Sequence, residues 1–310
     1  MQTEVNSPLR YPGGKSILAD YFYSYVRENR IENPIYAEPY CGGAGAAINL
    51  LLSRQVDKII LNDADFSIYA FWHSLKYRGD EFIDRLEAVD ISLDEWLLQK
   101  EIFKRGKDRN EIDMLTLGFA TFFLNRCNRS GILGAGPIGG KTKAGQDIAK
   151  YKIDARFKKD RLIDKIKSIT NFASRIEVYN LDALSFLRDV IRSQSEECQR
   201  NTFVYLDPPY FGQGSSLYMN YYQKEDHECL RDFLARDDNH FKWLLSYDNV
   251  KAIRSLYCDF NMYSFYINYS AQQSKLGSEI LVRSNNSILP ASNVLKTLKN
   301  NKRIELFALD

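Results

Sequence analysis

Residues 35–63, IYAEPYCGGAGAAINLLLSRQVDKIILND, decide how the chain is read. A short apolar run, 35–38, stops at Pro39, a turn with three glycines follows, and residues 46–52 are almost wholly apolar. A second apolar run then closes on an acid, Asp63. Strand, glycine turn, buried helix and strand form the local signature of a parallel α/β unit, because parallel neighbours need a crossover connection. Glycines at such a turn let the backbone approach a ligand, and the N–H groups opening the helix are free to meet it. Asp63 stands 21 residues beyond Gly42, where a carboxylate reaches the ribose hydroxyls of an adenosine-containing ligand. Glu38 suits a cationic ligand better than a pyrophosphate. A tight turn flanked by two surface acids would carry the same residues, so this segment alone leaves both readings open.

Outward from this unit, residues 16–28 and 66–75 read as helices. From about residue 78 to 167 the rhythm changes: charged helical segments run to Phe123, then LNRCNRSGILGAGPIGGKTKAGQ (124–146) is rich in glycine and polar residues. A stretch this long is functional or mobile in a compact sheet protein. The α/β rhythm returns in RIEVYNLDAL, TFVYLDPPY, FKWLLSYDN, MYSFYINYS and EILVRSN, with helices at 184–192 and 226–235. The expected fold is one α/β domain built from both ends of the chain, 1–77 and 168–310, with an insertion at 78–167.

The second informative segment is Phe203-Val204-Tyr205-Leu206-Asp207-Pro208-Pro209-Tyr210. Two prolines cannot continue a central ladder, so the break marks the strand's C-terminal edge, where open α/β sheets bind ligands. A carboxylate, a proline-fixed carbonyl and an aromatic face suit an exocyclic amine on a flat heterocycle. Asp207 and the Pro208 carbonyl each accept one amine hydrogen, and Tyr210 stacks on the ring. A strand-terminating turn is the plain alternative.

With these motifs in place, the sequence resembles the Dam-type DNA adenine-N6 methyltransferases over nearly its whole length. The resemblance rests on LRYPGGK (9–15), the 38–45 turn, Asp63, residues 207–210, LNR (124–126), LYMNYYQKEDHECL (217–230), SYD (246–248), NYS (268–270) and GSE (277–279). It implies a Rossmann-like fold, a mixed and mostly parallel sheet with helices on both faces, and S-adenosylmethionine as methyl donor. It places Tyr11, Lys15, Glu38, Pro39, Gly42, Gly43, Asp63, Asp182 and Asp207 around that cofactor, and Asp207, Pro208, Pro209 and Tyr210 in catalysis on a flipped-out adenine. It makes 78–167 a mainly helical target-recognition domain carrying a β-hairpin, with double-stranded DNA as partner and a restriction or defence system as associate. Arg126, Asn128, Arg129, Ser130 and Ile132, with Lys141 and Lys143, become the DNA-contacting residues, since Arg reads guanine, Asn adenine, and an apolar wedge fills space between bases. For Arg126 a purely structural role within the insertion is the alternative. The Cys-Arg pair that some members carry after the Gly-apolar step is replaced here by Leu133-Gly134, so a GATC target is not implied. His227 reads as a helix-start residue.

Competing chemistries are narrower. Methylation at cytosine carbon-5 uses a Pro-Cys thiolate, which this chain lacks, and cytosine-N4 enzymes usually carry Ser where Asp207 stands. An RNA or protein amide target, or a catalytically silent DNA-binding module, would not draw on the whole motif set.

Composition agrees with an enzyme that works on DNA locally. The 310 residues hold 42 Lys+Arg against 40 Asp+Glu, a net charge of +2, which excludes a uniformly basic coat. Residues 141–167 alone carry ten basic against four acidic side chains, a local +6 suited to phosphate. Five scattered cysteines without C-x-x-C spacing point to a reducing compartment, and three unpaired histidines to no metal site. Residues 1–15 lack a signal peptide's apolar run and no 18-residue apolar run exists, so a cytoplasmic, nucleoid-associated protein is expected.

Overall fold

Successive rather than alternate residues of the strand segments are apolar, the pattern of a sheet covered on both faces. In the computed structural model, which describes residues 6–11, 14–106, 112–211, 222–269, 275–290 and 306–309, they form one eight-stranded sheet ordered β3-β2-β1-β4-β5-β7-β6-β8. The strands are β1 (Ile35–Glu38), β2 (Lys58–Asn62), β3 (Ile176–Tyr179), β4 (Thr202–Leu206), β5 (Lys242–Asp248), β6 (Asn261–Tyr269), β7 (Lys275–Arg283) and β8 (Phe307–Ala308). β1 to β5 run parallel, while β7 returns antiparallel between β5 and β6, and β8 pairs antiparallel with β6. The sheet is thus mixed, as expected.

Side chains alternate between two cores. Tyr36, Ile59, Leu61, Phe203 and Tyr205 enter one, and Ala37, Ile60, Val204 and Leu206 the other. The first is covered by α1 (Ala19–Glu28), α2 (Gly45–Leu52) and α3 (Phe66–Tyr77), with Phe22 of α1 4.4 Å from the Tyr205 ring. Leu230 and Leu234 of the helix Lys224–Leu234 cover the second. Each such fully buried side chain contributes about 1.5–3 kcal/mol.

The middle segment supplies α4 (Gly79–Ala88), α5 (Leu93–Arg105), α6 (Met114–Cys127), α7 (Lys143–Ile148) and α8 (Lys159–Thr170). α6 lies hard against α3: a Cβ on Gly118 would sit 2.5 Å from the Ala70 carbonyl, and Phe71 and Phe122 stack at 5.9 Å. Phe82, Trp96 and Phe122 join the same core as Tyr36 and Phe203, so residues 78–167 complete one face of the fold instead of standing apart from it. The expected β-hairpin does not form among the described residues of this segment. A single antiparallel bridge, Asn128 to Pro137, closes the chain, and a short 3-10 turn, Arg129–Gly131, lies inside it. Asn128 gives its amide hydrogens to the Ile132 and Leu133 carbonyls, and the Ala135 N–H also goes to Ile132, so the chain inside the bridge closes on itself as turns.

The strand order reverses direction about β1 and β4, and crevices of open α/β sheets form beyond the carboxyl ends of strands at such a point. Ala37 pairs with Val204, so Glu38 lies level with Tyr205, while Leu206 pairs with Leu245, so Asp207, the first residue beyond β4, lies level with Ser246 inside β5.

Candidate active site

The glycine turn is held from three sides. Asn62, fully buried at the end of β2, donates to the Pro39 carbonyl (2.9 Å) and the Leu181 carbonyl (3.0 Å) and accepts from the Leu181 N–H (3.0 Å). Trp72 donates to the Gly42 carbonyl at 2.9 Å. The Asp63 carboxylate accepts from the Gly42 N–H (2.8 Å) and the Asp65 N–H (2.9 Å). Gly42 has φ +44° and lies under the Tyr11 ring, where a Cβ would come within 2.7 Å of Cζ; at Gly43 it would lie 2.9 Å from the Tyr11 Cβ. Only glycine combines that backbone with that approach.

Two acids of this turn sit in poor solvent. Burial pushes the Glu38 carboxyl up to about 8, against the hydrogen bond it accepts from Tyr36 (2.8 Å) and with the help of the Asp207 charge. Burial likewise pushes Asp63 up to about 7, opposed by its two backbone N–H donors. Neither makes an ion pair among the described residues.

Asp207 follows the last residue of β4, with Pro208 and Pro209 buried behind it. Its carboxylate accepts from Lys15 Nζ at 3.0 and 3.1 Å, and from Ser246 Oγ at 2.8 Å; Tyr205 and Ser246 share a further hydrogen bond of 2.7 Å. Lys15 also donates to the Tyr210 hydroxyl (3.2 Å) and lies 3.3 Å from Glu279, to which Tyr210 donates. Burial alone would lower the Lys15 pKa, but Asp207 and Glu279 hold its ammonium well above the usual lysine range. Beyond Tyr210, the Phe211 N–H donates to Asp248 at 3.1 Å. Tyr40 and Tyr222 share a 2.6 Å hydrogen bond, and buried His227 meets the Tyr247 hydroxyl at 2.6 Å, so His227 is enclosed by aromatic rings.

The structure therefore brings Tyr11, Glu38, Pro39, Gly42, Gly43 and Asp63 to one turn and Lys15, Asp207 and Tyr210 to the adjoining strand end. Asp182 is exposed and caps the next helix by accepting from the Ser185 N–H at 3.0 Å. In the middle segment, Arg126 donates to the Arg156 carbonyl (2.9 Å) and the Pro8 carbonyl (3.3 Å), and burial lowers its pKa to about 10. Asn128 is 0 % exposed; besides its two amide donations it accepts from Trp96 Nε1 at 2.8 Å, so a base contact would require breaking these bonds. Arg129, Ile132, Lys141 and Lys143 are exposed, and Ser130 has φ +56° at the turn. Pro12, Gly13, residues 217–221 of LYMNYYQKEDHECL and Ser270 lie outside the described residues.

Sequence reasoning gave no role to Ser246, Glu279, Tyr205 or Asn62. Ser246 and Glu279 lay within stretches already singled out, but only strand register puts them beside Asp207.

The Glu38 and Asp207 carboxylates and the Lys15 ammonium thus gather beyond the carboxyl ends of β1 and β4, where open α/β sheets place their ligands. The D12 class N6 adenine-specific DNA methyltransferase family matches residues 11–270, and the chain belongs to that family. It is an adenine-specific DNA methyltransferase. Among solved structures it is similar to the rRNA methyltransferase aviRa from Streptomyces viridochromogenes, solved at 1.5 Å and 2.4 Å. Both show 14% identity; the TM-score is 0.37 over 92% of each chain in one, and 0.36 over 89% of this chain and 87% of that one in the other. At those scores the likeness carries no argument about the fold. No curated protein matches the chain. Among the described residues, no helix is long and apolar enough to cross a membrane.

Proposed function

We propose that the protein transfers a methyl group from S-adenosylmethionine to the N6 amine of an adenine flipped out of double-stranded DNA, with the Dam-type motif at Asp207 as its catalytic centre. The observation that carries this reading is the pairing of two carboxyl-bearing strand ends: Glu38 and Asp63 on the glycine turn, Asp207 on the neighbouring strand. A buried and a half-buried carboxylate with no cation partner among the described residues fit a ligand that brings its own positive charge and two hydroxyls. The donor supplies a methyl group on a sulfonium centre. Asp63 accepts the ribose hydroxyls, Glu38 faces the cationic part, and Tyr11 with Gly42 and Gly43 forms the flat floor beside them. Asp182 belongs to the rim of the same crevice.

An adenine amine is a weak nucleophile because its lone pair is delocalised into the ring. Asp207 and the Pro208 carbonyl each accept one amine hydrogen, which draws the nitrogen towards tetrahedral geometry. Pro209 fixes the turn, and Tyr210, its hydroxyl anchored on Lys15 and Glu279, offers its face to the base. Catalysis by these groups is positioning and electrostatic stabilisation. The base reaches the pocket only by leaving the duplex. Residues 78–167 serve as the recognition region, with Arg129, Ser130, Ile132, Lys141 and Lys143 towards DNA and Arg126 and Asn128 shaping the turn that presents them.

Expressing the protein in a methylation-free host and sequencing the DNA with methylation-sensitive reads tests this. N6-methyladenine at a defined site is the expected result; N4-methylcytosine, or unmodified DNA, would overturn it.

A further inference from the structure

The Lys15 ammonium has three N–H donors and four oxygen neighbours: both carboxylate oxygens of Asp207 (3.0 and 3.1 Å), the Tyr210 hydroxyl (3.2 Å) and Glu279 Oε1 (3.3 Å). At least one of these contacts is shared, so a small turn of the ammonium exchanges partners at little cost. Its present seat is the group that the adenine amine needs. Asp207 also receives Ser246, so its carboxylate is already well supplied with donors before any base arrives.

Glu279 is the unusual member of the group. It is 1 % exposed, Oε1 takes both Lys15 and Tyr210, and Oε2 is buried with no hydrogen-bond partner among the described residues. A buried carboxylate oxygen left unpaired costs free energy and calls for a reason. Neutralising Lys15 is not that reason, because Asp207 already does so. With one ammonium between two carboxylates, Glu279 is surplus to the charge balance of the resting site.

We propose that Glu279 is the second seat for the Lys15 ammonium: when the adenine amine reaches Asp207, Lys15 turns from Asp207 onto Oε2 of Glu279, and Asp207 is released as an acceptor. No covalent bond is made or broken and no proton changes owner; the ammonium remains charged and buried throughout. Glu279 and Lys15 are thus positioning residues for Asp207, and Tyr210, bonded to both, feels the exchange. This rests on the adenine-N6 reading above.

The test uses the full chain, radiolabelled S-adenosylmethionine and plasmid DNA from a methylation-free host, in single-turnover assays with separate DNA and donor binding measurements. E279Q is expected to lower the methyl-transfer rate at least tenfold while both affinities stay within twofold of the parent protein. K15M is expected to be slow as well, and K15M/E279Q no slower than K15M alone, since the exchange needs the ammonium and the glutamine keeps an acceptor for the Tyr210 hydroxyl. An E279Q rate within twofold of the parent, or a double variant whose loss is the product of the single losses, would overturn the proposal. Should thermal melting show E279Q unfolded, E279D carries the test: a shorter seat should give partial loss of rate with unchanged affinities, and an unaltered rate would overturn the exchange. A parent protein that transfers no methyl group would instead sink the functional reading itself.

Discussion

Lys15 and Asp207 lie 192 residues apart in the chain, yet the lysine ammonium reaches both oxygens of the aspartate, at 3.0 and 3.1 Å. The contact crosses from the N-terminal segment beside α1 to the end of β4, and it fixes the carboxylate's orientation before any ligand enters. Asp207→Ala is therefore expected to lower methyl transfer by about 10³-fold or more. Lys15 keeps Glu279 as counter-ion in that variant, so the protein should remain folded by circular dichroism. A folded variant with undiminished turnover would remove Asp207 from the chemistry.

The buried acids make stability and donor binding respond to pH in opposite directions. Glu38 is raised from 4.5 to about 8 and Asp63 from 3.8 to about 7, in both cases chiefly by burial. A group raised on folding stabilises most below its unfolded value, and that stability is lost as pH climbs towards the folded value. Denaturant titrations should thus show the ligand-free protein weakening between pH 5 and 8, by about 1.4 kcal/mol for each pH unit over which one group differs between the two states. Glu38→Gln should flatten the decline. A cationic donor favours the ionised carboxylates, so its affinity should rise with pH up to about 8, and calorimetry in two buffers should report proton release.

Gly42 carries both a positive φ and the Tyr11 ring. Gly42→Ala pays about 1–2 kcal/mol for the backbone and must also displace the ring. Donor affinity is expected to fall at least tenfold. Gly134→Ala is the control, because nothing lies within 4 Å of a Cβ there.

Arg10, Arg126 and Arg156 gather with no carboxylate partner among the described residues, and their mutual repulsion contributes to lowering Arg10 and Arg126 after burial. It is the Arg156 carbonyl, not its side chain, that holds Arg126. Arg156→Gln should therefore leave the fold intact, weaken binding to all DNA sequences alike, and reduce the slope of log affinity against log salt by about 0.9 if one phosphate is lost. Lys141→Glu with Lys143→Glu should act the same way. Unchanged affinity at low salt would place this surface away from DNA.

Asn128→Ala strips Trp96 Nε1 of its acceptor and the Leu133 carbonyl of its amide donor, while the Ile132 carbonyl keeps the Ala135 N–H. A loss of about 2–4 kcal/mol in urea unfolding is expected from the buried groups left unpaired. Unaltered stability with an altered methylation site would show that the residue reads a base.

The α/β core was legible in the sequence because its signal is local: residues 35–63 carry the strand, turn, helix and strand in order, and 203–210 mark their own strand end by two prolines. The seat of Lys15 on Glu279 was not, because β7 returns between β5 and β6, and only that antiparallel register sets Glu279 opposite Asp248 and within reach of Lys15. Polar residues of the glycine-rich stretch read as outward-facing. Asn128 is instead drawn inside by the indole of Trp96, 32 residues earlier, and Arg126 by the carbonyls of Pro8 and Arg156. Hydrogen-bond satisfaction of a distant buried group leaves no periodic trace in a sequence.

The ammonium at the strand ends belongs to residue 15 and one of its two carboxylates to residue 279. A nascent chain emerging from the ribosome has its glycine turn and its Asp-Pro-Pro-Tyr strand end long before β7 is available to seat that lysine. Competence to modify DNA is thereby deferred until β7 has been made, and a product terminated before it would lack the group that completes the site.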